Sequence, residues 1–359
     1  MKILIVKTSA IGDVTHTLPA LNCLRKAWPD ARIDWLVEEA ASDLVLGHHA
    51  VDQVFVSKRK QWVNGLRSRA WLQNLKAILR FLGQLREIKY DLVIDFQGLL
   101  KSGIMVGVSR AKRKVGFGRG MQHAECSYIF LNERLPAVDM EVHALQRELL
   151  LLEGIDVPCA EVVFDLPVSD QERQQVRELL GENGQDRNDV AKPLVAINPQ
   201  TKWETKLWEN DRFAQVADQL ITQGCRVVFT GGPPDRVVIE KIQESMKKSS
   251  LNLAGRSSLK TLAALYERAD LVISTDTGPM HIAAAAGTPV VALFGPTAPW
   301  RTGPYGKQHQ VLRTGISCSP CFKRQCPLPE DQKKRCMKEI SVDLVVNAAL
   351  KILGLPQQD

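Results

Sequence analysis

Three short stretches of the chain hold residue types that can do chemistry. The first is Lys7-Thr8-Ser9-Ala10-Ile11-Gly12-Asp13, where a carboxylate follows a brief apolar run across a glycine. Just inside a helix, Asp13 can simply complement the dipole, worth about 0.3–1 kcal/mol, or it can accept a proton from a substrate hydroxyl; spacing alone leaves both open. The second is Gln200-Thr201-Lys202-Trp203-Glu204-Thr205-Lys206-Leu207-Trp208, a polar loop carrying two lysines. A lysine there is either a solvated loop cation or a point charge for an anionic leaving group. The third is Ser274-Thr275-Asp276-Thr277-Gly278-Pro279, a run of turn formers leading to His281. A helix that starts after such a loop turns free N–H groups and its positive end towards it, which suits a phosphate. The bland alternative is a plain capped helix, with His281 packed in the interior.

These loops need elements to hold them. Leu271-Val272-Ile273 has the length of a buried parallel strand, and Val290 to Phe294 reads as another. Between them His281 to Ala286 is a short helix of small residues, ended by Gly287 at C′. The result is a βαβ unit whose loop lies at the carboxyl end of a strand, where open α/β sheets bind ligands. The opening follows the same plan: strand Lys2–Val6, the Asp13 loop, then a helix to about Lys26 that stops before Pro29. Further strands are expected at 33–37, 53–56, 90–96, 114–117, 194–197 and 226–230. Helices are expected at 71–88, 140–153, 171–180, 211–223 and 342–353, with one more running from an N-cap at Ser257 through Arg268. Gly231-Gly232-Pro233-Pro234-Asp235 is a second glycine loop.

Tyr90-Asp91-Leu92-Val93-Ile94-Asp95 in the first half matches Ala269-Asp270-Leu271-Val272-Ile273-Ser274 in the second. Each follows a helix and precedes a glycine loop. Two α/β domains of the doubly wound, Rossmann-like kind are therefore expected, residues 1–168 and 169–359, facing a central cleft. The polar run Gly181 to Asp189 lies near the junction. The last helix, about 342–353, is expected to pack back on the first domain.

At 359 residues the chain can carry two full cores. The N-terminus lacks the apolar stretch of a signal peptide and no segment approaches a membrane span, so residence in the cytoplasm is the expectation. The net charge is +7, unevenly spread: Lys58 to Arg119 holds 15 Lys/Arg against three acids, a local +12. Such a segment is a solvated basic face or a surface for an anionic ligand or an anionic membrane. No nucleic-acid motif accompanies the charge, so no nucleic-acid partner is expected. Eight cysteines in a chain of this size do not read as a secreted disulfide scaffold. Four of them form the series Cys318-x2-Cys321-x4-Cys326-x9-Cys336. Its spacing leaves structural zinc, reduced packed thiols and disulfides all open.

Asp-Thr-Gly-Pro-Met-His (276–281) followed by Ala-Ala-Gly-Thr-Pro-Val-Val-Ala-Leu-Phe-Gly-Pro-Thr (285–297) strongly resembles glycosyltransferase family 9, the bacterial heptosyltransferases. The opening, residues 6–21, and Tyr90 to Gly103 resemble the type I branch of that family, while the cysteine series is more like type II chains. The resemblance covers essentially the whole chain. It implies an α/β GT-B fold, an ADP-heptose donor, and transfer with inversion to Kdo-lipid A in lipopolysaccharide core synthesis, on the cytosolic face of the inner membrane. Type II chemistry on an acceptor already bearing heptose is the alternative, and from another class, a GT-B sugar-nucleotide epimerase. Carried onto this sequence, the resemblance makes Asp13 the general base. Lys206, preferred over Lys202, would neutralise the departing diphosphate. Donor contacts would come from Thr201, Lys206, Ser257, Asp276, Thr277, Gly278 and His281. Lys7, Lys58, Arg59, Lys60 and Arg119 would meet the carboxylates and phosphates of the acceptor, next to an anionic membrane surface. The sequence has no D-x-D motif, so no metal and no cofactor is expected in the reaction.

Overall fold

The computed structural model describes residues 1–121, 125–182 and 192–357. Of the polar run at the expected junction, residues 183–189 lie outside the described residues. The chain divides into two compact units, Met1–Pro167 and Val168–Asp359.

The first unit is a six-stranded sheet with β1 (Lys2–Val6), β2 (Arg32–Glu38), β3 (Gln53–Ser57), β4 (Lys89–Asp95), β5 (Arg110–Phe117) and β6 (Glu133–Leu135) in the order β3-β2-β1-β4-β5-β6. The second contains β7 (Leu194–Asn198), β8 (Arg226–Phe229), β9 (Leu251–Asn252), β10 (Leu271–Thr275), β11 (Val290–Leu293) and β12 (Gln310–Leu312) in the order β12-β11-β10-β7-β8-β9. Every pairing in both sheets is parallel. Read from its third strand, each sheet has the doubly wound order 3-2-1-4-5-6. The two matching segments of sequence are β4 and β10, the fourth strand of each unit. Their central residues are fully buried, because helices on both faces leave no polar side.

In this topology the order reverses between the first and fourth strands, and the loops leaving those strands open the crevice in which such sheets take ligands. In the first unit that point lies between β1 and β4, with Val6 opposite Asp95. In the second it lies between β7 and β10, with Asn198 opposite Ser274. The helix Ile11–Ala27 follows β1, Leu100–Val108 follows β4, and Gly278–Ala285 follows β10. Gly287 closes the last of these at φ +79°, a left-handed position that a side chain would strain.

Within the second unit, the helix Val342–Leu353 buries Val345, Val346, Ala349 and Leu350 in that unit's own core, with Phe213, Leu271 and Val291. Two expectations change, the capping of one helix and the start of another. Ser258, not Ser257, caps the helix Leu259–Arg268, its hydroxyl accepting from Thr261 N. The helix after β10 starts at Gly278, three residues earlier than its apolar residues suggested, with Thr277 as N-cap. A bond between Cys23 and Cys159 ties the first helix to the segment after the helix Ala144–Glu153.

Candidate functional site

In the second unit, three carboxyl-end loops converge on one oxygen atom. Asp276, directly after β10, is buried, and its Oδ2 accepts from Lys206 Nζ at 2.6 Å and from Thr297 Oγ1 at 2.6 Å. Lys206 arrives on the loop after β7, within the 3-10 turn Glu204–Lys206; Thr297 arrives on the loop after β11. Lys206 also lies over the Trp203 ring, Nζ 4.5 Å from its centroid, and Arg324 approaches the same ring at 5.1 Å. Its ammonium is thus held in place and largely shielded from water. Asp276 takes one of its three donors. Lys202, the competing lysine, is exposed.

Beside this cluster stands the start of the helix Gly278–Ala285. Thr277 makes no side-chain cap there, and Thr277 and Gly278 are half-buried. An anion at that end would meet the positive pole of the helix and Lys206 together. Asp276 was expected to contact the donor; the structure gives its Oδ2 to Lys206 and Thr297. His281 is buried in the helix, Thr201 is half-buried in the Lys206 loop, and Ser257 is half-buried ahead of the helix that Ser258 caps. The glycine loop after β8 is braced by Asp235 Oδ2, which accepts from Gly232 N at 2.7 Å. Gly255, at φ +72°, packs against it so closely that a Cβ would lie 2.9 Å from Pro233 Cα.

In the first unit, Asp13 sits in the first turn of Ile11–Ala27, half-buried, with Oδ2 accepting from Ala10 N at 2.8 Å. The loops after β1 and β4 are laced together at this point. Gln97 Oε1 accepts from Thr8 N, Thr8 Oγ1 and Ser9 N at 2.9–3.0 Å. Asp95 Oδ1 accepts from Gln97 N and Gly98 N, and burial, opposed by those bonds, pushes its carboxyl up to about 6.

Lys7 corrects an expectation. Assigned from sequence to an incoming acceptor, it is buried, its Nζ 2.6 Å from Glu148 Oε1 and donating to Phe96 O at 3.0 Å. Burial works against the ammonium, but Glu148, Asp13 and Asp95 outweigh it and hold the lysine above its ordinary value. Glu148 is itself raised, by burial first and by Asp13 as a nearby like charge, with Lys7 opposing both. Asp13 therefore lies in the field of a closed Lys7–Glu148 pair. The other expected acceptor cations differ in their freedom. Arg59 Nε bonds Glu38 Oε1 at 3.0 Å, Lys58 reaches Glu39 at 3.8 Å, and Lys60 and Arg119 are exposed.

Thr297, Glu148 and Lys101 were not assigned from sequence. Lys101 Nζ donates to Ser9 Oγ at 2.5 Å and to Glu38 Oε1 at 2.9 Å, so it bridges the β1 loop to the end of β2. Thr297 ends the Gly-Pro-Thr quoted above and Lys101 lies within the quoted stretch Tyr90 to Gly103; nothing local marks Glu148.

The chain matches the family model for glycosyltransferase family 9 (heptosyltransferase) over residues 78–331. It is 31% identical over 342 residues to lipopolysaccharide heptosyltransferase 1 of Pseudomonas aeruginosa, covering 93% of this chain and 90% of that protein. Among solved structures it is similar to a glycosyltransferase family 9 protein from Veillonella parvula (TM-score 0.78, 25% identity, 98% of this chain and 97% of that one). It is also similar to the E. coli heptosyltransferase WaaC with ADP (TM-score 0.76, 25% identity, 98% and 100%). With two parallel doubly wound sheets of GT-B type and these matches along its length, the chain belongs to glycosyltransferase family 9, the heptosyltransferases, and is a glycosyltransferase.

Proposed function

We propose that the protein moves a heptose, with inversion, from ADP-heptose to Kdo-lipid A in lipopolysaccharide inner-core synthesis. The observation that carries this reading is the convergence of Lys206, Asp276 and Thr297 at the switch point of the second unit, beside the start of the helix Gly278–Ala285. That geometry suits a diphosphate. The similar WaaC structure is described as containing ADP.

In the reaction, the acceptor hydroxyl oxygen attacks the anomeric carbon while Asp13 takes its proton. The bond from that carbon to the diphosphate oxygen breaks, and its electron pair leaves with ADP. Lys206 and the helix N-terminus stabilise the charge that develops on that oxygen. Asp276 and Thr297 act through Lys206 by fixing where its ammonium points. Thr201, Ser257, Thr277, Gly278 and His281 line the donor side. Arg119, Lys58, Arg59 and Lys60 meet acceptor phosphates and carboxylates, and Lys7 contributes through its field on Asp13, not by contact.

An acceptor embedded in lipid calls for a membrane-facing surface. No helix among the described residues is long and apolar enough to cross a membrane. The helix Trp71–Glu87 nonetheless exposes Trp71, Leu72, Leu75 and Leu79 among Lys76, Arg80 and Arg86, a pattern that suits lying on an anionic bilayer. The 31% match to a type 1 enzyme favours Kdo-lipid A over an acceptor already carrying heptose. Incubating the protein with ADP-heptose and either acceptor, and weighing the products, tests this. A heptose added to Kdo-lipid A is expected. Addition only to heptosyl-Kdo-lipid A would replace the type 1 assignment, and no addition to either would overturn it.

A further inference from the structure

Residues 313–334 are an unusual piece of this fold. After β12 the chain runs to the short helix Arg335–Lys338 with only one 3-10 turn, Glu330–Gln332, on the way. Runs of this length without regular structure are uncommon inside a compact domain and need something to hold them. Side chains in this stretch supply little core: Phe322 is 43% exposed and Cys318 is exposed. Yet the segment is fastened at several points to the donor loops. Thr205 Oγ1 donates to Lys323 O at 2.8 Å, Ser319 Oγ to Gly295 O at 2.6 Å, and Cys321 N and Phe322 N both donate to Pro296 O. It therefore buttresses the two loops that deliver Lys206 and Thr297.

Cys318, Cys321, Cys326 and Cys336 are all unbonded thiols, and all four line one cavity, walled otherwise by Thr205, Pro296, Pro327, Leu328, Lys334 and Arg335. Two further details match a thiolate site. Lys334 N donates to Cys326 Sγ at 3.4 Å, and left-handed residues, Phe322 and Lys334, follow Cys321 directly and precede Cys336 by two. The sulfurs stand around the cavity: no three of them lie within 4.8 Å of one another among the described residues. An ion with metal–sulfur bonds of about 2.3 Å would draw them inward.

We propose that these four cysteines form a tetrahedral thiolate site for one thiophilic metal ion, zinc or iron, which orders residues 313–338 and braces the Lys206 and Thr297 loops from behind. Four thiolates in a tetrahedron select those metals, and closing such a site contributes directly to folding. The ion stays clear of the reaction and its role is structural.

The test is metal content of the full-length protein purified under reducing conditions, by elemental analysis, which also separates zinc from iron. About one equivalent per chain is expected. Cys318→Ser, at the exposed thiol, and Cys336→Ser should each lower metal affinity by at least about tenfold, while Cys126→Ser, at an exposed cysteine of the first unit, leaves it unchanged. Chelation of the wild-type protein should open the bonds after Lys323, Arg324, Lys333 and Lys334 to trypsin. A protein without stoichiometric metal whose four thiols titrate freely, two disulfides found by mass spectrometry, or a metal content indifferent to all three substitutions would each overturn the proposal.

Discussion

Lys206→Met separates two jobs that the Lys206–Asp276 contact could be doing. The two side chains are 14% and 6% exposed, so solvent screens the pair little. Removing one partner of a buried pair costs about 3–5 kcal/mol, because the remaining charge stays buried. Asp276 keeps its bond from Thr297, which places the loss towards the lower end, about 3 kcal/mol. In a unit of this size that is a fall in melting temperature of roughly 6–12 °C. If Lys206 also stabilises the leaving diphosphate, turnover falls by about 10²–10³-fold beyond any loss of folded protein. Asp276→Asn combined with Lys206→Met removes the stranded charge and should recover most of the stability while leaving turnover low. The assay is ADP release under saturating donor at a temperature where every variant is folded, with thermal melts alongside. Lys202→Met, at an exposed position, should change neither reading by much. A double variant that regains turnover together with stability would reduce Lys206 to a structural lysine. A turnover loss confined to Lys202→Met would move the role to that residue.

Other consequences follow from the first unit. His48 is buried and held down to about 4 from 6.5, first by burial, so between those values the unfolded chain binds the extra proton. Its contribution to stability is lost as pH falls through that window, about 3 kcal/mol in all. Asp95, raised from 3.8 to about 6, acts in the opposite sense and adds stability of similar size as pH falls from 6 towards 4. In urea titrations at pH 7 and pH 4.5, His48→Gln should gain relative to wild type on acidification and Asp95→Asn should lose; slopes matching wild type for both would refute the two environments. On the membrane side, Leu72→Glu and Leu79→Glu should each weaken co-sedimentation with anionic vesicles by about tenfold or more, since an inserted leucine is worth about 1.5–3 kcal/mol. Unchanged partitioning would remove that helix from the docking surface.

The architecture was readable where burial writes itself into the sequence. β4 and β10 are uninterrupted apolar runs because both faces are covered, and this made the echo between the two halves visible. The edge strands β6, β9 and β12, two or three residues long and mostly not fully buried, offer no such run and were missed. The helix Arg59–Leu66 has no fully buried residue; Trp62, half-buried against Phe81, is too little to mark it in the sequence. The last helix was legible from its apolar periodicity, and it buries that face in the core of the second unit.

Within the candidate site, local signals placed Asp276, Thr277 and Gly278 on a strand–turn–helix corner, and the structure has them there. They could not separate Lys206 from Lys202, because the deciding contact is with Asp276, 70 positions away by the residue numbers. Lys7 looked like a surface cation next to a loop. Its partner Glu148 is 141 residues distant, and only the fold brings that carboxylate to it.

In the proposed reaction the second unit holds the nucleotide diphosphate and Asp13 in the first unit takes the proton. The most direct measurement follows both properties in one sample of Asp13→Asn, with ADP affinity by calorimetry and heptose transfer by mass spectrometry. ADP affinity equal to that of wild type, with transfer reduced by about 10²–10⁴-fold, is the predicted result. Transfer that persists near the wild-type rate would contradict the account, as would a loss of ADP binding matching the loss of transfer.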